Sequence, residues 1–197
     1  MKLHYTPRSH FARKVRILID ALDLDVELID AGNVAEGAPE KFGSNPLMKV
    51  PTLIDGDRVV FDSDQIASYL VRKFDPSDRF NVLTSDVETL NARAVMNGVM
   101  SAEVELVMAD RTGIDTKAYS RFDKHRETIK IGLDWLESHA EFSHSTPSYS
   151  EFHLVSMWNH LVMMKLLPTD YTRLRNCVEE LSTIGYIAQS APVANIA

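Results

Sequence analysis

Cysteine is nearly missing from this sequence: Cys177 is the only one. A lone thiol excludes an intrachain disulfide and any Cys-x-x-Cys centre, and it suits a reducing compartment. Long apolar runs are missing too. Met1-Lys2-Leu3-His4-Tyr5 lacks the apolar stretch of a secretory signal, and no later segment is long enough to span a membrane. A cytoplasmic protein without a membrane partner is expected. Positive charge is in deficit, with 21 Lys and Arg against 28 Asp and Glu and a formal net charge of -7. That argues against a nucleic-acid partner held by a basic face. No phosphate-cradling loop, dinucleotide fingerprint or nucleophile elbow is present. The 7 histidines lack convincing ligand spacing. His153 and His160 share a helical face but want a third partner, so no metal is expected.

What is present suits a packed globular chain. Its 197 residues, 45% hydrophobic and 25% charged, suffice for one large domain or two small ones with real cores. The stretch around which the rest is organised is Lys49-Val50-Pro51-Thr52-Leu53, followed by Phe61-Asp62-Ser63-Asp64-Gln65-Ile66. Pro51 cannot donate to a ladder, so it belongs at a strand start or edge. Asp55-Gly56 supplies a hairpin turn, and Val59-Val60-Phe61 returns. Asp62 and Gln65 have capping-box spacing ahead of a helix. Unused N–H groups at Ser63 and Asp64, with the Ser63 hydroxyl and the helix dipole, would form an anion site beside an extended edge. Such an edge can hold a peptide-like ligand by strand addition. Spacing alone favours the plainer reading, a hairpin and a well-capped helix.

Upstream, Met1 to Tyr5 reads as a strand. Ser9 precedes a helix whose apolar face is Phe11, Val15, Leu18, Ile19 and Leu22, with Arg13, Lys14, Arg16 and Asp20 on the other faces. Val26 to Asp30 alternates as a second strand, giving a parallel βαβ unit. A loop follows, with a short helix near Pro39 to Phe42. The helix after Ser63 buries Ile66, Leu70 and Phe74. Asp75-Pro76-Ser77-Asp78 breaks the pattern.

Beyond it helical periodicity takes over. Ser85 and Glu88 are spaced as a capping box for a long helix, in which Gly98 would mark close helix packing. A second helix is expected over Thr116 to His139, and a third after the Ser148/Glu151 capping box, with Val155, Trp158, Leu161 and Val162 buried. A fourth is expected from Pro168 or Asp170. The tail from Ile184 to Ala197 is weakly patterned. The domains expected are therefore 1–75, a linker over 76–84, and an all-helical 85–197.

A βαβ-ββα domain with Val50-Pro51 leading into its third strand, then an all-helical domain, resembles the cytosolic glutathione S-transferase family. The residues that carry the likeness are Ser9 with Phe11-Ala12-Arg13-Lys14-Val15-Arg16-Ile17; Asn45-Pro46-Leu47-Met48-Lys49-Val50-Pro51-Thr52-Leu53; Phe61-Asp62-Ser63; and, in the second half, Leu133-Asp134-Trp135-Leu136-Glu137 and the cap at Ser148. It looks most like the short bacterial, serine-type members.

The resemblance implies a thioredoxin-like N-terminal domain and a homodimer. It implies glutathione as co-substrate and a small apolar electrophile as its acceptor, as in detoxification. Pro51 would be the family's cis-proline and Val50 would hydrogen-bond the cysteinyl backbone. Asp62 and Ser63 would hold the γ-glutamyl group, and Lys49 would lie near the glycyl carboxylate. Ser9 matches the serine that stabilises the thiolate. His10 stands where relatives often carry Pro, Ser or Cys; it is an alternative thiol partner, with a solvent-facing ring the favoured reading. Tyr5 reads as packing. The second substrate would lie between the domains against the long helix, where Met96, Met100, Val104 and Met108 recur, although core or dimer interface suits that spacing better. Two alternatives stay open: a non-catalytic regulatory protein of the stringent-starvation type, and a glutathione-dependent isomerase or peroxidase.

Overall fold

The computed structural model describes residues 1–35 and 37–192. The chain forms two compact units, Met1–Leu83 with the segment from Ile184, and Thr84–Thr183.

The first unit is built on a four-stranded sheet of order β2-β1-β3-β4. Its strands are β1 (Lys2–Tyr5), β2 (Glu27–Asp30), β3 (Thr52–Asp55) and β4 (Arg58–Phe61). β1 pairs parallel with β2 across helix α1 (His10–Ala21), and antiparallel with β3. β3 and β4 form the expected hairpin, with Gly56 at φ 59° in its turn. Helix α2 (Ser63–Phe74) follows β4 directly. Leu3, Val15, Ile19, Leu53, Ile66 and Leu70 form the core, drawn from the inward positions of two strands and both helices. Tyr5 packs against that core, with the Arg16 guanidinium 5.0 Å from its ring. Phe74, expected inside, is exposed under the Lys73 ammonium.

The break after α2 is ordered by two carboxylates. Asp75 accepts from Ser77 Oγ and from the Arg79 N–H groups, and Asp78 accepts from the N–H of Val82 and Leu83. The expected helical domain ran to residue 197. Instead the segment from Ile184 groups with the first unit. Within it, short helix α7 (Gly185–Ala188) is followed by Ser190, which accepts a bond from Arg13 Nε at 3.2 Å, and Tyr186 meets Phe80 edge-on. The end of the tail, 193–197, lies outside the described residues.

The second unit is helical: α3 (Val87–Arg111), α4 (Asp123–His139), α5 (Tyr149–Met164) and α6 (Thr172–Leu181). Asp86, not Ser85, caps α3, accepting from Thr89 N–H at 2.8 Å. The segment from Thr116 starts as two 3₁₀ turns, and α4 begins only at Asp123. α5 is the central helix, buried without interruption from Tyr149 to Trp158, though Val162 is exposed. Its capping box is complete: Ser148 Oγ caps the first turn, and Glu151 accepts from Ser148 N–H at 2.6 Å and Ser143 N–H at 2.8 Å.

Helices α4 and α6 cap one another. Tyr171 at the α6 N-cap offers no side-chain cap, and Glu137 of α4 supplies it, accepting from the N–H groups of Arg173 and Leu174. Arg173 returns the bond, donating to the carbonyls of Leu136, Glu137 and Ala140 at the end of α4. Cys177 on α6 is buried, its Sγ 3.7 Å from the Ser143 carbonyl; burial first, then the Glu151 and Glu180 charges, pushes its thiol up to about 11. The close helix contact falls at Gly132 on α4, where a Cβ would meet Val99 Cγ2 at 2.6 Å. Gly98 faces open space. Met96 and Met100 are core residues, whereas Val104 is exposed.

Candidate functional site

The strand register assembles the site. His4 pairs with Thr52, and Thr52 with Phe61, so these three residues form one row across β1, β3 and β4. The chain leaves the sheet just past that row in three places. β1 runs on to Ser9, β3 is entered through Val50-Pro51, and β4 runs on to Asp62-Ser63. Ser9, Val50 and Asp62, 12 to 53 positions apart in sequence, are thereby gathered at one end of the sheet.

Ser9 is the N-cap of α1, extended at φ -73° and ψ 112°. Its Oγ accepts the Ala12 N–H at 3.1 Å. A hydroxyl has two lone pairs and one proton, so this cap leaves the proton available to donate. His10 departs from expectation: its ring is 3% exposed rather than solvent-facing, tilted against Phe11 with centroids 4.8 Å apart.

The Val50–Pro51 peptide is cis. The loop carrying it is tied by Asn45, a buried side chain missing from the sequence-based candidates. Its Nδ2 donates to the Lys49 carbonyl at 3.0 Å and to Thr52 Oγ1 at 3.1 Å, and its Oδ1 accepts the Leu47 N–H at 2.9 Å. Thr52 Oγ1 also donates to the Lys49 carbonyl. The Lys49 backbone is thus fixed while its side chain is exposed, and Val50 is half-buried.

Asp62 caps α2 from a left-handed backbone, φ 72°. Its Oδ1 accepts from Asp64 N–H at 2.9 Å and from Gln65 N–H at 3.4 Å. This corrects the expectation of an unused Asp64 N–H, which the cap itself occupies. What remains of the expected anion site is Ser63, 2% exposed, and the helix dipole.

Lys14, expected on an outer face, has a side chain with no exposure, and its Nζ lies 2.7 Å from Asp64 Oδ1. The signal was present: Phe11, Lys14, Val15 and Leu18 follow the i, i+3, i+4, i+7 spacing of one face. Arg13 is buried as well, and burial, then the Arg16 charge, lowers its guanidinium to about 10.

A βαβ-ββα unit with a cis-proline strand entry, a serine-capped first helix and an acid-serine start to the last, joined to an α-helical unit, defines a thioredoxin-like protein. Comparison with known proteins narrows this. Residues 3–78 match the family model for the glutathione S-transferase N-terminal domain. Glutathione S-transferase 1 of Dianthus caryophyllus is 33% identical over 153 residues, 70% of this chain and 63% of that protein. Glutathione S-transferase 1 of Manduca sexta is 44% identical over 82 residues, 40% of this chain and 37% of that one. A zeta-class enzyme of Euphorbia esula is 32% identical over 114 residues, covering 49% and 50%. The chain therefore spans between 37% and 63% of the length of these relatives. Among solved structures, a glutathione S-transferase of Methylobacterium radiotolerans in complex with glutathione sulfonate superposes with a TM-score of 0.80 at 21% identity, covering 100% of this chain and 96% of that one. A maleyl pyruvate isomerase, a bacterial zeta-class member, gives 0.77 at 18% identity, covering 99% and 98%. The chain thus carries an N-terminal domain of the glutathione S-transferase type, and its described residues share the fold of solved glutathione S-transferases.

Proposed function

We propose that this chain is a glutathione transferase that attacks small apolar electrophiles with the glutathione thiolate. The observation that carries the reading is the His4–Thr52–Phe61 row, which gathers Ser9, Val50 and Ser63 at one sheet end. Each then has a role that its chemistry permits. A free cysteine thiol, of pKa roughly 8.5, is mostly protonated at neutral pH. The Ser9 hydroxyl donates to the thiolate, and the α1 dipole adds a favourable field, so the ionised form is populated. The thiolate forms a C–S bond to the electrophilic carbon, whose leaving group departs with the electron pair. The Val50 backbone pairs with the cysteinyl peptide beside Pro51, Asp62 and Ser63 hold the γ-glutamyl group, and Lys49 faces the glycyl carboxylate. A cytoplasmic homodimer needing no metal completes the proposal.

The test is a calorimetric titration with reduced glutathione at neutral pH. One saturable site per chain supports the reading; no heat at millimolar ligand turns it towards a non-catalytic role on the same fold. The likeness to zeta-class proteins, a maleyl pyruvate isomerase among them, favours a second reading, glutathione-dependent isomerisation. There the thiolate adds to a conjugated double bond and leaves again, so glutathione is not consumed. Loss of free thiol during turnover with an aryl halide, against none with a cis-enedioate, separates the two.

A further inference from the structure

The first turn of α2 carries two carboxylates, Asp62 at the N-cap and Asp64 two residues on. Both suit a helix N-terminus. Their charges oppose the γ-glutamyl α-carboxylate read at Ser63, while Asp62 can face the α-ammonium of the same group. Asp62 spends its Oδ1 on the helix N–H groups of Asp64 and Gln65. Asp64 meets a cation instead. Lys14 reaches across from α1, 50 residues away in sequence, and its Nζ lies 2.7 Å from Asp64 Oδ1. The two ends of this pair differ: the Lys14 side chain is 0% exposed and that of Asp64 is 35% exposed. The pair therefore presents its acid outward and keeps its ammonium inside, 5.6 Å from the Phe11 ring centroid.

A lysine with no exposure is an expensive way to join two helices. An apolar residue on the same stripe would pack α1 against α2 without desolvating a charge. The placement makes sense where the charge itself is needed. We infer that Lys14 is a positioning residue for glutathione, neutralising Asp64 so that the γ-glutamyl α-carboxylate can settle at Ser63. This rests on the glutathione reading above. It makes the acid at position 64 tolerable only with the cation at position 14.

The test is a charge cycle read by calorimetry with reduced glutathione, by steady-state kinetics with an aryl halide, and by thermal unfolding of each variant. Lys14→Met should raise the Kd for glutathione by about tenfold, and kcat should fall by less than KM rises. Lys14→Arg should restore most of the affinity. Lys14→Met with Asp64→Asn, which removes both charges, should return Kd to within about threefold of the parent. A merely structural role predicts the opposite pattern: the double variant binds as poorly as Lys14→Met, and affinity tracks the unfolding temperature. That result overturns the inference, as does a Lys14→Met protein with parental Kd. If the parent protein itself binds no glutathione, the transferase reading falls and takes this inference with it. If the parent binds and only the cycle fails, the transferase reading stands.

Discussion

At Ser9 a single oxygen accepts the Ala12 N–H and still carries a proton to donate, so the capping and thiolate roles can be separated by substitution. Ser9→Ala removes both. It should cost about 1 kcal/mol of stability and lower kcat, with the pH–rate profile of the bound thiol displaced upward. Ser9→Asp keeps a capping acceptor but has no proton to give, so stability should persist while kcat falls; a parental kcat in either variant would clear Ser9 of the chemistry. At Ser63, removal of one charge-assisted hydrogen bond should weaken glutathione binding by about 1.5–3 kcal/mol, and an unchanged titration of Ser63→Ala would take it out of the site. A third residue-scale prediction concerns His160, whose Nδ1 lies 2.6 Å from Glu103 Oε2 in the helical unit. Burial lowers the imidazole to about 4, with the Arg111 charge acting the same way, and burial raises the Glu103 carboxyl well above its ordinary range. On folding, His160 releases a proton between about pH 4 and 6.5, so its contribution is lost as pH falls through that window. Glu103 takes up a proton above pH 4.5, so its contribution is lost as pH rises. The two slopes oppose each other between 4.5 and 6.5. Glu103→Gln leaves only the histidine's, so its urea-unfolding free energy should rise with pH across that window while the parent's stays flatter.

Elements follow from periodicity more readily than their contacts do. The βαβ unit, the hairpin and the Ser148/Glu151 cap are legible because each is set within a few neighbouring residues: alternation, a turn pair, a serine three before a glutamate. Lys14 lies on the apolar stripe by spacing, yet a charged side chain reads as solvent-facing. Nothing local to Asn45 says that its amide will tie the Lys49 carbonyl. The glycines make the same point. Gly98 lies on the long helix and reads as a packing notch, yet only the fold reveals that Gly132 holds the close approach. A paired substitution follows. Gly98→Ala should stabilise the protein by up to about 1 kcal/mol, the helix propensity gained in open space. Gly132→Ala gains the same propensity but drives a methyl onto Val99, which costs about 1–3 kcal/mol by overpacking. Denaturant unfolding should rank Gly98→Ala above the parent and Gly132→Ala at or below it.

For the molecule as a whole, chain order and spatial grouping part company at Ile184. A boundary drawn on composition puts everything after residue 85 together, because weakly patterned residues carry no sign of the unit they will join. The return is specified by tertiary bonds, Ser190 to Arg13 and Tyr186 to Phe80. The lone cysteine turns the other unit into its own clock. Cys177 is shielded and its thiol resists ionisation, so an alkylating reagent reaches it only during excursions in which α6 lifts from its neighbours. The labelling rate of the unmodified protein thus reports how often that helix opens, with no added probe. Glu137→Gln weakens the bond that anchors the start of α6, and should quicken the modification several-fold while labelling in denaturant stays the same.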